Sequence, residues 1–588
     1  MKFLYRKKQH LNQQLYYTHL ECAHHYAGMW QHINENIDQQ LNKIMDTQYA
    51  KLNKKLDTLT NQKTDQHSNS NKFPQNKTRL INLTKIKFTK EQWQILSYGP
   101  NFSIEQIPKN FINEFIIDTE NAVRNLEPNI QGTYRHLATK QIKYIMNNNR
   151  CNTLHKRKQY IINEVKNILQ KNNLTMVNAD KSKAIVIIDK NTLEEKIRNL
   201  MQENKITQLN KDPTDKYYKQ IQQMIKNCNL LIDKHTQRFL TNIKPMAPKL
   251  NVYLKVHKEN EPIRPVINNK QAPSYKTAKF LNKKLCNLID LPHTYNIKNS
   301  QELAEELIKI HINKDKRLIT YDIKDLYVNL PIQGIIETTK FWLKSNNIDN
   351  KLINQTIQML TTVINQNYFQ HEDQWFQPER GIAMGSPISS IIAEIYLQYI
   401  EQTYIKHWLE SEEITYYRRY VDDILIIYNI NHTNKQKISQ RINNIDKNLQ
   451  FKPTNEEHNT ISYLDLSIHR NNNNLDLSIY RKPTSTDTCI HYLSNHPNEH
   501  KTAAFRYYTH RMQNLPITNN AKQKEWETIL TIARNNGYPR HIINNIRTKI
   551  TNKIQNTEPK MHNNKKWIAF KYFSPIVRRI TNLFKDTG

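Results

Sequence analysis

Tyr420-Val421-Asp422-Asp423 sets two adjacent carboxylates between two apolar runs, Tyr416 to Val421 and Ile424 to Tyr428. Runs of that length rich in Ile, Val and Tyr read as strands, and the two-residue break between them reads as a hairpin turn. Asp tolerates turn backbone, so the pattern predicts a rigid ribbon with both acids at its exposed tip. Taken alone, such a pair is usually a solvated turn. Two features upstream change that reading.

The first is Asp322, which lies 100 positions before Asp422 and follows the strand-like run Leu318-Ile319-Thr320-Tyr321. Strand ends lying side by side in one sheet would bring these acids together, and acids so placed repel unless a cation joins them. Mg²⁺ takes hard oxygen ligands and commonly shares one or two carboxylates with substrate phosphates. Two such ions about 3.5–4 Å apart can clamp the attacking and leaving oxygens of a nucleotidyl transfer. The pattern therefore suits Asp322, Asp422 and Asp423 as catalytic metal ligands. Two Mg²⁺ ions are the expected cofactors, with Mn²⁺ an alternative.

The second is Gly381-Ile382-Ala383-Met384-Gly385-Ser386-Pro387. The chain has eight glycines in 588 residues, and two fall within these five positions, Gly381 to Gly385. Glycine that scarce points to backbone geometry or the close approach of a ligand. Ser386 reads as an N-cap and Pro387 as the first residue of a helix. Ile388, Ile391, Ile392 and Ile395 follow at helical spacing and form its buried stripe. Alone this is a loop-to-helix junction. Between the acids it reads as a loop lining a template–nucleotide pocket, with Gly385 and Ser386 in contact with nucleotide.

The series Thr320-Tyr321-Asp322-Ile323-Lys324-Asp325-Leu326-Tyr327-Val328-Asn329-Leu330-Pro331, Met384-Gly385-Ser386-Pro387 and Arg419-Tyr420-Val421-Asp422-Asp423 resembles motifs A, B and C of a reverse transcriptase. Two outer pieces narrow the resemblance to the Penelope-like retroelements, whose polymerases are relatives of telomerase. One is Asn178-Ala179-Asp180-Lys181 with the apolar run Ala184 to Ile188. The other is Tyr480-Arg481-Lys482-Pro483-Thr484 with Ser494-Asn495-His496-Pro497. The resemblance runs from about residue 80 to the C-terminus.

It implies an α+β right-hand polymerase (fingers, palm and thumb) with a helical N-terminal extension. It also implies an RNA-directed DNA polymerase that extends a DNA 3′-hydroxyl in the nucleus. The implied partners are an RNA template, a DNA primer or target, and dNTPs. By the same resemblance Lys255 and Arg264 bind the triphosphate, with Lys181, Lys183 and Lys258 behind them. Tyr327 packs under the sugar and excludes a 2′-hydroxyl, and Lys452 donates a proton near the leaving pyrophosphate. Ile461 to Leu466 resembles the hairpin that holds the primer end. Ser182 stands where the family often has glycine, and nothing matches the GIY-YIG endonuclease that many members carry. A telomerase-type enzyme with a dedicated template could use the same motifs. A non-catalytic RNA-binding derivative would be expected to have lost an acid, and all the acids are present.

Lys and Arg number 86 against 53 Asp and Glu, a net charge of +33, which is the footprint of a polyanion binder. An A/T-rich gene would inflate that excess. No stretch approaches 18 apolar residues and mean hydropathy is −0.80, so neither a membrane span nor a signal peptide is expected. The five cysteines include no C-x-x-C pair, which argues against a zinc module or a disulfide framework. Cys22 with His24 and His25 reads as an ordinary helix face. Four segments are expected. Residues 1–76 give an amphipathic helix, suited to self-association, and a linker. Residues 77–245 are mostly helical with a fingers strand at 179–188, residues 246–482 form fingers and palm, and residues 483–588 form a helical thumb and tail.

Overall fold

The computed structural model describes residues 39–40, 79–104, 110–147, 153–182, 184–383, 385–471 and 473–555. The chain divides into two units, Met1–Asn76 and Lys77–Gly588, and the second holds all three sheets. The expected N-terminal helix with its linker, the Cys22 cluster, Lys183, Met384 and the tail beyond 555 lie outside the described residues.

Ile424, Leu425, Ile426 and Ile427 are each at most 1 % exposed. An unbroken apolar run is what a strand buried on both faces requires. A four-stranded antiparallel sheet holds that strand near its centre. It is built from β7 (Lys316–Ile323), β10 (Ile414–Tyr420), β11 (Asp423–Asn429) and β12 (Phe451–Asn455), in the order β10-β11-β7-β12. On one face Ile319, Tyr321, Ile424 and Ile426 pack with residues of the helices Ile332–Ser345 and Ser389–Ile400. On the other, Leu318, Leu425 and Ile427 pack with the helix Ser300–Leu307 and a three-stranded sheet. That sheet comprises β13 (Thr460–Tyr463), β14 (Leu466–Asn471) and β15 (Asn474–Ile479).

An eight-stranded mixed sheet gathers β1 (Leu80–Asn82), β2 (Leu174–Ala179), β3 (Ile185–Asp189), β4 (Ile206–Leu209), β5 (Lys249–Leu254), β6 (Ile263–Asn268), β8 (Phe369–His371) and β9 (Gln374–Pro378). The expected single strand over 179–188 is a hairpin instead. β2 and β3 are antiparallel, and Asp180, Lys181 and Ser182 form the turn between them. Lys181 takes a positive φ of 57° there, so the Ser182 position needs no glycine. The C-terminal part is helical, as its periodicity predicts, over Asn498–Asn514, Asn519–Asn535 and Arg540–Gln555. Asn536-Gly537-Tyr538-Pro539 separates the last two helices, and Leu515-Pro516-Ile517-Thr518 separates the first two.

Candidate active site

Register brings the acids together. Asp423 of β11 pairs with Asp322 of β7, and on the other side of β7 Asp322 pairs with Lys452 of β12. Directly paired residues share a face, so Asp423, Asp322 and Lys452 form one row across three strands. It is the face that carries Leu318, Leu425 and Ile427. The Ile323 N–H donates to the Asp422 carbonyl at 2.9 Å. The hairpin differs from expectation by one position. Its turn is Val421-Asp422, and Asp423 is the first residue of β11, paired with Tyr420.

Val421 sits at φ 54°, a left-handed conformation that β-branched residues rarely adopt. Arg419 braces it from below. This side chain is 1 % exposed and its Nη1 donates to the Val421 carbonyl at 3.0 Å. It also bonds Glu401 at 2.6 Å, Glu394 at 2.9 Å and Asn296 at 2.9 Å. Burial works against its charge, but the Glu401 and Glu394 carboxylates outweigh that and keep the guanidinium protonated. Glu401 opens a π-helical turn, Glu401–Ile405, a distortion often found near functional sites. On the opposite side Tyr463 of β13 donates from Oη to the Asp423 carbonyl at 2.8 Å.

The row is electrostatically crowded. Burial, then Asp422, pushes the Asp423 carboxyl up to about 6, with Lys482 and Lys181 pulling the other way. The Asp322 carboxyl is raised by the protein wall around it and then by Asp422, against Lys181 and Lys258. Among the described residues none of the three acids forms an ion pair. Nor is any group of three His, Cys, Asp or Glu side chains arranged to hold a metal alone. The donor set still fits Mg²⁺, which needs only one or two carboxylates when substrate phosphates complete its shell.

Both loop glycines are sterically required. A Cβ on Gly381, at φ 76°, would lie 2.4 Å from the Val328 carbonyl oxygen. One on Gly385, at φ 113°, would lie 2.4 Å from that of Ile267 in β6. The loop is thus pressed against the segment after β7 and against the large sheet. The Ile382 N–H donates to the Tyr327 carbonyl at 2.8 Å. Tyr327 is half-buried, hydrogen-bonded to Ser390, and feels both Asp422 and Glu394. The expected cap is corrected here. The helix starts at Ser389, not Pro387, and Ile388 holds the cap position without a side-chain bond. Ser386 lies in the preceding turn, and Ser389 Oγ donates to the Ala383 carbonyl at 2.8 Å.

Arg264 does not stand free, since its Nη1 bonds Asp180 Oδ1 at 3.1 Å. Lys255 is half-buried and its pKa is lowered, first by burial, with Asp325 opposing. Asp180, Lys482 and the Arg419–Glu394–Glu401 cluster are the members that residue-by-residue reading misses. Asp180 and Lys482 were visible only inside the two outer motifs, and an arginine on a strand ordinarily reads as surface.

Residues 256–461 match the family model described as reverse transcriptase (RNA-dependent DNA polymerase). The chain carries a reverse transcriptase domain. It is an RNA-directed DNA polymerase with the right-hand fold, and residues 488–548 also match a model described as an animal helix-turn-helix domain. No curated protein matches the chain. Among solved structures, a telomerase from Candida albicans in complex with a fragment of telomeric RNA is 12 % identical, with a TM-score of 0.41 over 68 % of this chain and 71 % of that one. Apo telomerase from Candida tropicalis is 14 % identical, with a TM-score of 0.40 over 75 % and 80 %. Likeness at this level says nothing of what the reverse transcriptase here binds.

Proposed function

We propose that this reverse transcriptase is the polymerase of a Penelope-like retroelement and extends a DNA 3′-hydroxyl along an RNA template. The observation that carries the chemistry is the register placing Asp322 beside Asp423, with Asp422 at the adjoining turn. The retroelement assignment rests on the outer motifs around Asp180 and Lys482. In this reading the four-stranded sheet is the palm, the eight-stranded sheet belongs to the fingers, and the helices from Asn498 to Gln555 form the thumb. Bound Mg²⁺ supplies charge neutralisation and Lewis acidity at the transferring phosphoryl group.

The chain's own residues do the rest. Asp322, Asp422 and Asp423 hold the ions, and Lys255 and Arg264 attract the triphosphate, the arginine oriented by Asp180. The Gly385–Ser386 turn borders the nascent base pair. Tyr327, fixed between its loop and Ser390, excludes a sugar bearing a 2′-hydroxyl. Lys452, which pairs across from Asp322, gives a proton to the departing pyrophosphate in this reading.

Primer extension on an RNA template with Mg²⁺ present or withheld is the test. Asp322→Ala and Asp422→Ala should each abolish synthesis yet leave RNA binding intact, because the basic surface is untouched. Near-normal extension by both variants would end the reading.

A further inference from the structure

The first outer motif and the segment that directly follows Tyr480–Thr484, some 300 residues apart in sequence, meet in one cleft of about 480 Å³. The β2–β3 turn supplies Asp180 and Lys181, β5 and β6 supply Tyr253 and Arg264, and the segment after Lys482 supplies Thr488, with Tyr508 from the first C-terminal helix. A volume of this size suits a single nucleotide rather than a duplex. Lys181 of this cleft lowers the pKa of both Asp322 and Asp423, so its charge reaches the carboxylate row.

Its chemistry is specific. Lys181 provides positive charge for a phosphate, and Tyr253, with Tyr508 under the Arg481 guanidinium, lines the wall against which a base can stack. Asp180 is the unexpected member, because a carboxylate repels a phosphodiester. Its side chain is 6 % exposed, Oδ1 is taken by Arg264, and Oδ2 has no hydrogen-bond partner. Thr488 Oγ1 is likewise buried without one. An ionised carboxylate only accepts hydrogen bonds, so Asp180 Oδ2 calls for a donor. Beside a nucleotide's phosphate and base, the donor that distinguishes one nucleic acid from another is the ribose 2′-hydroxyl. A deoxynucleotide has nothing at that position.

We propose that this cleft seats one unpaired nucleotide of the RNA template, with its 2′-hydroxyl donating to Asp180 Oδ2 as the fingers turn and thumb segment part. The contact makes the enzyme favour RNA over DNA as template at one defined register. This inference rests on the polymerase function proposed for the carboxylate row.

The experiment is primer extension by the full chain on RNA templates in which a single 2′-deoxynucleotide is walked through successive positions. The wild type should pause at one register relative to the primer end, slowed roughly tenfold, as expected for loss of a hydrogen bond to a charged group. Asp180→Ala should be slower on every template, because Arg264 loses its brace, but should show no register-specific pause. Asp180→Asn serves where the alanine variant fails to fold, and should weaken the pause. A wild type indifferent to every 2′-deoxy position, or an alanine variant that pauses as the wild type does, overturns the proposal. An all-DNA template separates the two readings. Synthesis on both templates without a pause removes the 2′-hydroxyl contact alone, and no synthesis on either removes the polymerase reading with it.

Discussion

Arg419 is the residue on which the acid turn leans. It is the cation for two carboxylates, each held bidentately, and the donor to a carbonyl in a strained turn, and the planar fork serves both roles at once. Arg419→Lys keeps a charge between Glu394 and Glu401 but cannot reach all the acceptors at once. DNA synthesis should fall roughly ten- to a hundredfold, as expected for a small misplacement of reacting groups, and the Mg²⁺ concentration for half-maximal rate should rise. Extension assays across a Mg²⁺ series check this. An unchanged requirement with lowered thermal stability would make the arginine purely structural. Arg419→Met, which strands two carboxylates, should cost about 3–5 kcal/mol in a denaturant titration. Glycines give a cleaner contrast. Gly381→Ala meets backbone at 2.4 Å at a positive φ and should lose activity and stability together. Gly132→Ala, in a helix with nothing within 4 Å of the added carbon, should gain about 0.5–1 kcal/mol.

At the scale of elements, the three-stranded sheet supports the acids through one hydroxyl. Tyr463→Phe removes the donor to the Asp423 carbonyl and should lower stability by about 1 kcal/mol, with a drop in extension rate at saturating dNTP. Equal rates would mean that the hairpin acts on the primer alone. The central strand was legible because burial on both faces leaves an unbroken apolar run, and the glycine loop was legible because glycine is scarce. The hairpin turn was misread by one residue. Asp-Asp looks like the better turn pair, but sheet register places Asp423 in the ladder and forces Val421 into a conformation its side chain resists. β4 was hidden because its partner, β9, lies some 170 residues away, and short strands paired at that range leave no local signal. Ser386 was misplaced as a cap for a similar reason. Gly385 must lie against Ile267, and this delays the helix to Ser389.

Across the whole described unit, its first segment is fastened to its last. Arg79 Nη2 donates to the Asn535 carbonyl at 3.0 Å, Ser103 exchanges hydrogen bonds with Ser494 and Asn495, and Tyr98 and Phe102 pack on His491. Burial, then Arg79 and Lys158, lowers His491 from an ordinary imidazole value of 6.5 to about 4. The folded state therefore binds fewer protons than the unfolded one between those values. The contribution is complete above pH 6.5 and is lost as pH falls toward 4. His491→Phe, which keeps a ring in the stack, should show a smaller fall in melting temperature between pH 7 and pH 5 than the wild type. Identical profiles would show that the imidazole does not titrate within the clasp.

The same clasp sets a timetable for biosynthesis. Arg79 and Asn535 are 456 positions apart, so at a ribosomal rate of about 5–20 residues per second Asn535 is made on the order of 20–90 s after Arg79. For most of that interval, until His491 is made, Tyr98 and Phe102 have no C-terminal partner to cover them. The nascent chain thus carries an incompletely covered aromatic surface until His491 emerges, and premature termination before residue 491 would leave that surface without its partner for the life of the fragment.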